Sequence, residues 1–159
     1  MKALVINQEK CTACRRCELA CSFRQTGEFS PTTSRVTTAI FIDEDFYLPV
    51  TCQHCEEPLC MKACPSGAIF RNEATRAVEI NRDRCIGCKM CVMVCPFGAV
   101  AYSEREQRVV KCDLCGGEPE CAAFCPWGAI EYKEADRASL EKRKQVGRKL
   151  RDILKEVSA

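Results

Sequence analysis

Cys85-Ile86-Gly87-Cys88-Lys89-Met90-Cys91-Val92-Met93-Val94-Cys95-Pro96 carries four cysteines at spacings of two, two and three residues, with a proline directly after the last. Three thiols on one tight loop can wrap a corner of a common centre. The fourth starts the next structural element and points away, toward a different centre. Three more runs follow the same plan. They are Cys11-x2-Cys14-x2-Cys17-x3-Cys21, Cys52-x2-Cys55-x4-Cys60-x3-Cys64 and Cys112-x2-Cys115-x5-Cys121-x3-Cys125. The four quartets use all 16 cysteines of the 159-residue chain and leave none over.

Outward from the cysteines the chain repeats itself. Cys64-Pro65-Ser66-Gly67-Ala68-Ile69, Cys95-Pro96-Phe97-Gly98-Ala99-Val100 and Cys125-Pro126-Trp127-Gly128-Ala129-Ile130 share one pattern. Proline ends the ligand turn, glycine permits the bend, and a short strand begins. Each unit therefore reads as strand, loop, short helix, turn and strand, one structural element used repeatedly. Phe70-Arg71 and Ala77–Ile80, across the polar turn Asn72–Thr75, predict one hairpin, and Val100–Tyr102 with Arg108–Lys111 a second. Ile130–Tyr132 has no partner downstream and is expected to pair with Ala3–Ile6. Arg35–Ile42 and Phe46–Val50 form an inserted hairpin, about residues 34–50, outside the repeat. Cys21 is followed by Ser22-Phe23 rather than proline, so the first unit is expected to continue as helix. The fold class is α+β: tandem ferredoxin-like units with short hairpins over residues 1–132, and a C-terminal amphipathic helix over 133–159. In that arm Val146, Leu150, Ile153 and Val157 recur at helical spacing.

The spacing decides the chemistry. Run three matches the bacterial ferredoxin run C-x2-C-x2-C-x3-C-P at every position, which points to cubane iron–sulfur clusters. Zinc sites pair two C-x2-C knuckles across a longer gap and have no use for a third cysteine two residues on. Disulfide frameworks of this density belong to secreted domains, and residues 1–10 hold only Ala3–Ile6 as an apolar run, too short for a signal-peptide core. A reducing cytoplasm is the expected home, with export on a partner's signal as the alternative.

Composition points the same way. Leu, Ile, Val and Phe together number 34, about a fifth of the chain, close to the level at which a conventional core fails. The clusters must then supply much of the core. The formal charge of +2 counts thiols as neutral; four oxidised cubanes, each about −2, would bring it to about −6. Lys133–Glu156 holds nine Lys and Arg against five Asp and Glu, so the arm is basic. No aromatic-studded basic patch accompanies it, which excludes a nucleic-acid partner. No apolar stretch reaches the length of a membrane span.

Cys52-Gln53-His54-Cys55-Glu56-Glu57-Pro58-Leu59-Cys60 and Lys111-Cys112-Asp113-Leu114-Cys115 are more distinctive than a generic loop. They resemble the four-cluster ferredoxin-like subunits of molybdenum and tungsten oxidoreductases, such as the iron–sulfur subunits of formate dehydrogenase, DMSO reductase and hydrogenase. The compact form looks most like the small subunit of bacterial tungsten aldehyde oxidoreductases. The resemblance covers residues 1–132 and implies nested ligation. Cys11, Cys14 and Cys17 would share a cluster with Cys125, and Cys112, Cys115 and Cys121 with Cys21. Cys52, Cys55 and Cys60 would take Cys95, and Cys85, Cys88 and Cys91 would take Cys64. Every run is complete, so four [4Fe-4S] clusters and no three-iron cluster are expected.

That family pattern implies a non-catalytic subunit relaying single electrons between a catalytic molybdenum or tungsten subunit and a flavin-containing subunit or soluble carrier. Full cysteine ligation leaves no open iron, and no GxGxxG, P-loop or catalytic-triad pattern offers another site. A free-standing polyferredoxin shuttle is the alternative, and a cluster storage or delivery protein a more distant one. The basic arm would grip an acidic catalytic subunit or a second copy of the chain, the alternative being that its apolar stripe folds back onto the cluster domain. His54, the sole histidine, either hydrogen-bonds near a cluster or is a partly exposed loop residue. Trp127 either shields a cluster, packs conventionally or marks a docking surface. Arg15 and Arg16 in the first loop, against Glu118 and Glu120 in the fourth, predict that the first cluster is the easier of these two to reduce.

Overall fold

The computed structural model describes residues 2–136 together with 139, 143, 144, 146 and 147. Its strands pair into four separate two-stranded antiparallel ribbons. β1 (Lys2–Ile6) lies against β8 (Ile130–Glu134), with Ile6 opposite Ile130 and Lys2 opposite Glu134. β2 (Thr37–Phe41) pairs with β3 (Phe46–Val50), β4 (Ile69–Arg71) with β5 (Val78–Ile80), and β6 (Val100–Ser103) with β7 (Arg108–Lys111). All four expected pairings are present. The inserted hairpin begins at Thr37, because Arg35 and Val36 turn into the interior ahead of it. β8 reaches Glu134, two residues past the expected end of the cluster domain.

Each loop of cysteines feeds a helix. α1 (Arg16–Thr26) runs eleven residues, since nothing after Cys21 interrupts it until Gly27 caps it in the left-handed region at φ 74°. The other three helices stop after four residues: α2 (Leu59–Lys62), α3 (Met90–Met93) and α4 (Glu120–Ala123). The proline after each fourth cysteine ends them. There the Gly67, Gly98 and Gly128 N–H groups bond back to the carbonyls of Cys64, Cys95 and Cys125 at 3.1, 3.2 and 3.3 Å. These glycines share φ values of 57°, 60° and 63°, a conformation that a side chain would strain. The written repeat is therefore a repeat in backbone geometry. α1 packs against α4, and α2 against α3.

A lone two-stranded ribbon is marginal in water, so something else must hold these four. The interior divides into three small clusters. One joins Cys17, Cys21, Val36, Cys121 and Ile130; one joins Cys52, Ala77, Cys112 and Leu114; one joins Ile69, Val78, Cys91, Val100 and Val109. Six of the seventeen buried apolar residues among those described are cysteines. The thiols are thus a large share of the packing.

Of the C-terminal arm, Leu140, Leu150, Ile153 and Val157 lie outside the described residues. Among the described residues no helix is long and apolar enough to cross a membrane.

Ile130 is 1% exposed and ties β8 both to β1 and to the first interior cluster. Ile130→Ala is expected to cost about 2–5 kcal/mol. Denaturant titration of the holoprotein, followed by its visible absorbance, should show a lower midpoint; an unchanged midpoint would show that this pairing does not hold the ends together.

Candidate metal centres

The C-x-x-C loops curl in the same way in all four runs. The residue before the second cysteine is left-handed each time: Ala13 at φ 53°, His54 at 46°, Gly87 at 70° and Leu114 at 56°. Only one of them is glycine, and the others pay roughly 1–2 kcal/mol each for the conformation. Such strain persists where the surroundings over-determine it. Here it turns backbone N–H groups inward, making a concavity suited to an anionic group. His54 N–H lies 3.4 Å from Cys52 Sγ, and Leu114 N–H 3.4 Å from Cys112 Sγ. After the prolines, Ala68 and Ala129 N–H reach Cys64 and Cys125 Sγ at 3.3 and 3.2 Å.

These loops gather the cysteines as nested sets. One cavity is ringed by Cys11, Cys14, Cys17 and Cys125. A second is ringed by Cys52, Cys55, Cys60 and Cys95, and a third by Cys64, Cys85, Cys88 and Cys91. Cys21, Cys112, Cys115 and Cys121 lie near enough that burial, reinforced by the charges of Cys112, Cys21 and Cys115, pushes the Cys121 thiol up. Among the described residues no three His, Cys, Asp or Glu side chains could share a single ion; the thiols instead surround space. Soft thiolates in a ring, with amide donors behind them, fit a multinuclear iron–sulfide group.

The sets are not in chain order. The first interior cluster holds Cys17 and, against it, Cys125 from the first set, together with Cys21 and Cys121 from the fourth. The next holds Cys112 of the fourth set and Cys52 of the second. The last brings Cys91 and Cys64 together with Cys60 and Cys95. The spatial order is first, fourth, second, third. Exposure follows that line: Cys14 and Cys88, one in each terminal set, are the exposed cysteines.

Burial works against bare thiolates. It pushes Cys17 up to about 11 and Cys112 up to about 12. A cation complex among the thiols would offset that cost at these two positions.

Several residues around the cages had no sequence signal. The inserted hairpin is part of the site: Thr38 Oγ1 lies 3.8 Å from Cys17 Sγ, and Arg35 N–H donates to Cys21 Sγ at 3.2 Å. Glu18, 1% exposed, accepts from Thr38 N–H at 2.7 Å and from Arg15 Nε and Nη2 at 2.9 and 2.7 Å. The Arg15 charge behind the expected ordering of the first and fourth clusters is therefore offset. His54 is a half-buried loop residue. Its Nδ1 accepts from Val78 N–H at 2.9 Å, and burial, with Lys111 and Arg71, holds the ring down to about 3. Trp127 lines the first cavity and is 59% exposed, reaching both the cage and solvent.

Comparison with known proteins adds to this geometry. Residues 43–135, more than half the chain, match the profile of the 4Fe-4S dicluster domain, and residues 4–24 that of a 4Fe-4S binding domain. The chain is 38% identical over 120 residues to the B subunit of anaerobic dimethyl sulfoxide reductase from Escherichia coli (strain K12), covering 68% of this chain and 58% of that protein. It is 37% identical over 111 residues to the polyferredoxin-like subunit of aliphatic sulfonate oxidoreductase of Pyrococcus furiosus, covering 70% and 64%. It thus spans less than two thirds of either relative. A solved polypeptide of the active-site complex BamBC of benzoyl coenzyme A reductase aligns over 99% of this chain and 96% of its own length, at 20% identity and a TM-score of 0.49.

Iron removal is expected to unfold the chain. Anaerobic chelation at neutral pH should abolish the far-ultraviolet circular dichroism of the native protein, because the short ribbons then lose what joins their loops. A retained native spectrum would show that the ribbons stand without metal.

Proposed function

The chain belongs to the 4Fe-4S dicluster domain family, and on that premise we propose that it is the electron-transfer subunit of an oxidoreductase complex, with four [4Fe-4S] clusters in a line. Cys11, Cys14, Cys17 and Cys125 would hold one; Cys21, Cys112, Cys115 and Cys121 the next; Cys52, Cys55, Cys60 and Cys95 the third; Cys64, Cys85, Cys88 and Cys91 the last. A bound cluster takes up and gives up single electrons. The chain's own residues supply the rest. Val36, Ile130, Leu114, Val78 and Val109 pack at the junctions between neighbouring sets and keep water out. Inward amides donate to the sulfurs, which stabilises negative charge there.

The observation that carries this reading is the exposure of Cys14 and Cys88 at opposite ends of the line, with no exposed thiol in the two sets between. A storage protein has no need of two surface poles joined through the interior; a relay does. One pole would face a catalytic subunit carrying molybdenum or tungsten, the other a flavin-containing subunit or soluble carrier. All sixteen thiols are used in the cages, which leaves no iron open to a substrate, so the chain would not itself be catalytic. The cluster domain would run to Glu134 and the remaining residues form an assembly arm that grips the catalytic subunit or another copy. A cytoplasmic location belongs to the same reading, resting on thiols that must stay reduced.

Anaerobic purification from the native host tests it. About sixteen irons per chain, four per cubane, and a copurifying subunit with molybdenum or tungsten are expected. Eight irons in fully loaded protein, or stoichiometric zinc, would end the four-cluster reading.

Cys64→Ala separates nested from sequential ligation. It should perturb the spectrum of the cluster on Cys85, Cys88 and Cys91; loss of the one on Cys52, Cys55 and Cys60 instead would overturn the nesting. Truncation after Glu134 should leave iron content unchanged and abolish complex formation. Normal assembly of the truncated chain would remove the role given to the arm.

A further inference from the structure

Lys111 ends β7 and is 4% exposed although it carries a charge. Its Nζ donates to the carbonyl oxygens of Val78 and Cys112. Among the described residues no carboxylate pairs with it. Two carbonyl dipoles do not neutralise an ammonium ion out of water; a buried cation needs an anion beside it. Val78 lines the cavity of Cys52, Cys55, Cys60 and Cys95, and Cys112 belongs to the neighbouring set. The ammonium therefore stands at the middle of the line of thiol sets, with no carboxylate of the described residues in ion-pair contact with it.

A second observation points into the same cavity. Because Val78 N–H donates to His54 Nδ1, the ring hydrogen resides on Nε2. Nε2 is buried without a partner, and the ring lines this cavity. A buried N–H donor without an acceptor is costly, and the acceptors that would ring it in the filled cage are sulfurs. The other cages lack this combination. Arg15 of the first set is paired with the buried Glu18. Lys89 at the third cavity is exposed and stacks over the Tyr102 ring at 3.8 Å. In the fourth set Asp113, a negative group, accepts from Cys115 N–H at 2.9 Å.

We propose that Lys111 is the internal counter-ion of the relay, and that with the His54 Nε2–H it raises the reduction potential of the cluster at Cys52, Cys55, Cys60 and Cys95 above those of the other three. Positive charge and hydrogen bonds to sulfur both favour the reduced, more negative form. Lys111 is a positioning charge, not a ligand. The inference rests on the relay reading, and iron content separates the two.

The test uses full-length holoprotein, wild type and Lys111→Met, poised at a series of potentials and read by electron paramagnetic resonance with iron measured in each sample. Lys111→Met keeps the stem and removes the charge. The highest of the four midpoints should shift to a more negative value, and its signal should be the one that Cys60→Ser alters. With wild-type iron content, an unmoved highest midpoint, or movement of a centre that Cys60→Ser leaves alone, overturns the assignment to Lys111. Should the methionine variant fail to load, Lys111→Gln, which still offers donors to both carbonyls, carries the same measurement. Wild-type protein saturated at fewer than sixteen irons would instead bring down the relay reading.

Discussion

The structure depends on one electrostatic constraint: sixteen thiols are gathered in four sets, and burial opposes ionisation of those that lie deepest. Cys17, Cys112 and Cys121 are all pushed upward by desolvation. A cage of protonated thiols has no attraction at its centre, and the ribbons around it are three to five residues long. The fold and its metal are then one equilibrium rather than a scaffold with a guest. This explains why so few large apolar side chains suffice. Each cage joins loops that are far apart in sequence, as a staple would, most of all the one that draws Cys125 to Cys11, Cys14 and Cys17.

The three interior clusters fall at the three junctions between neighbouring thiol sets. In the proposed relay, packing and conduction would therefore be served by the same residues. A side chain such as Val78 keeps water from the second cavity, fills the space beside Val109 and offers its backbone to both His54 and Lys111. Substitution there would disturb stability and electron transfer together. The surface poles are freer, because Trp127 and the loop around Cys88 project from the packed interior.

Much of this was legible in the residues. The hairpins announced themselves as apolar runs flanking polar turns, and β1 against β8 followed once Ile130–Tyr132 lacked any other partner. The long α1 could be read from the missing proline after Cys21. What stayed hidden was long-range and polar. Nothing in Thr37–Phe41 shows that Thr38 will meet Cys17, and the hairpin looked like an insertion outside the repeat. Lys111 reads as an ordinary strand residue before a cysteine; its burial is visible only once its Nζ is found against the Val78 carbonyl of another ribbon. The left-handed positions at Ala13, His54 and Leu114 carry no local signal, since only Gly87 is a residue that prefers them. The contact of the His54 ring nitrogen with Val78 N–H, 24 residues on, had no sequence signal either.

The register that puts Lys2 opposite Glu134 has a consequence for how the domain can be handled as a module. Its entry and exit strands are side by side, so both ends of the unit would leave it through a single hairpin-like stem. A longer protein can accommodate it as a cassette between two of its own segments without separating any pair of ligands. The same adjacency allows the old ends to be bridged and new ones opened in the Glu104–Gln107 turn, a circular permutant in which every cage keeps its four thiols.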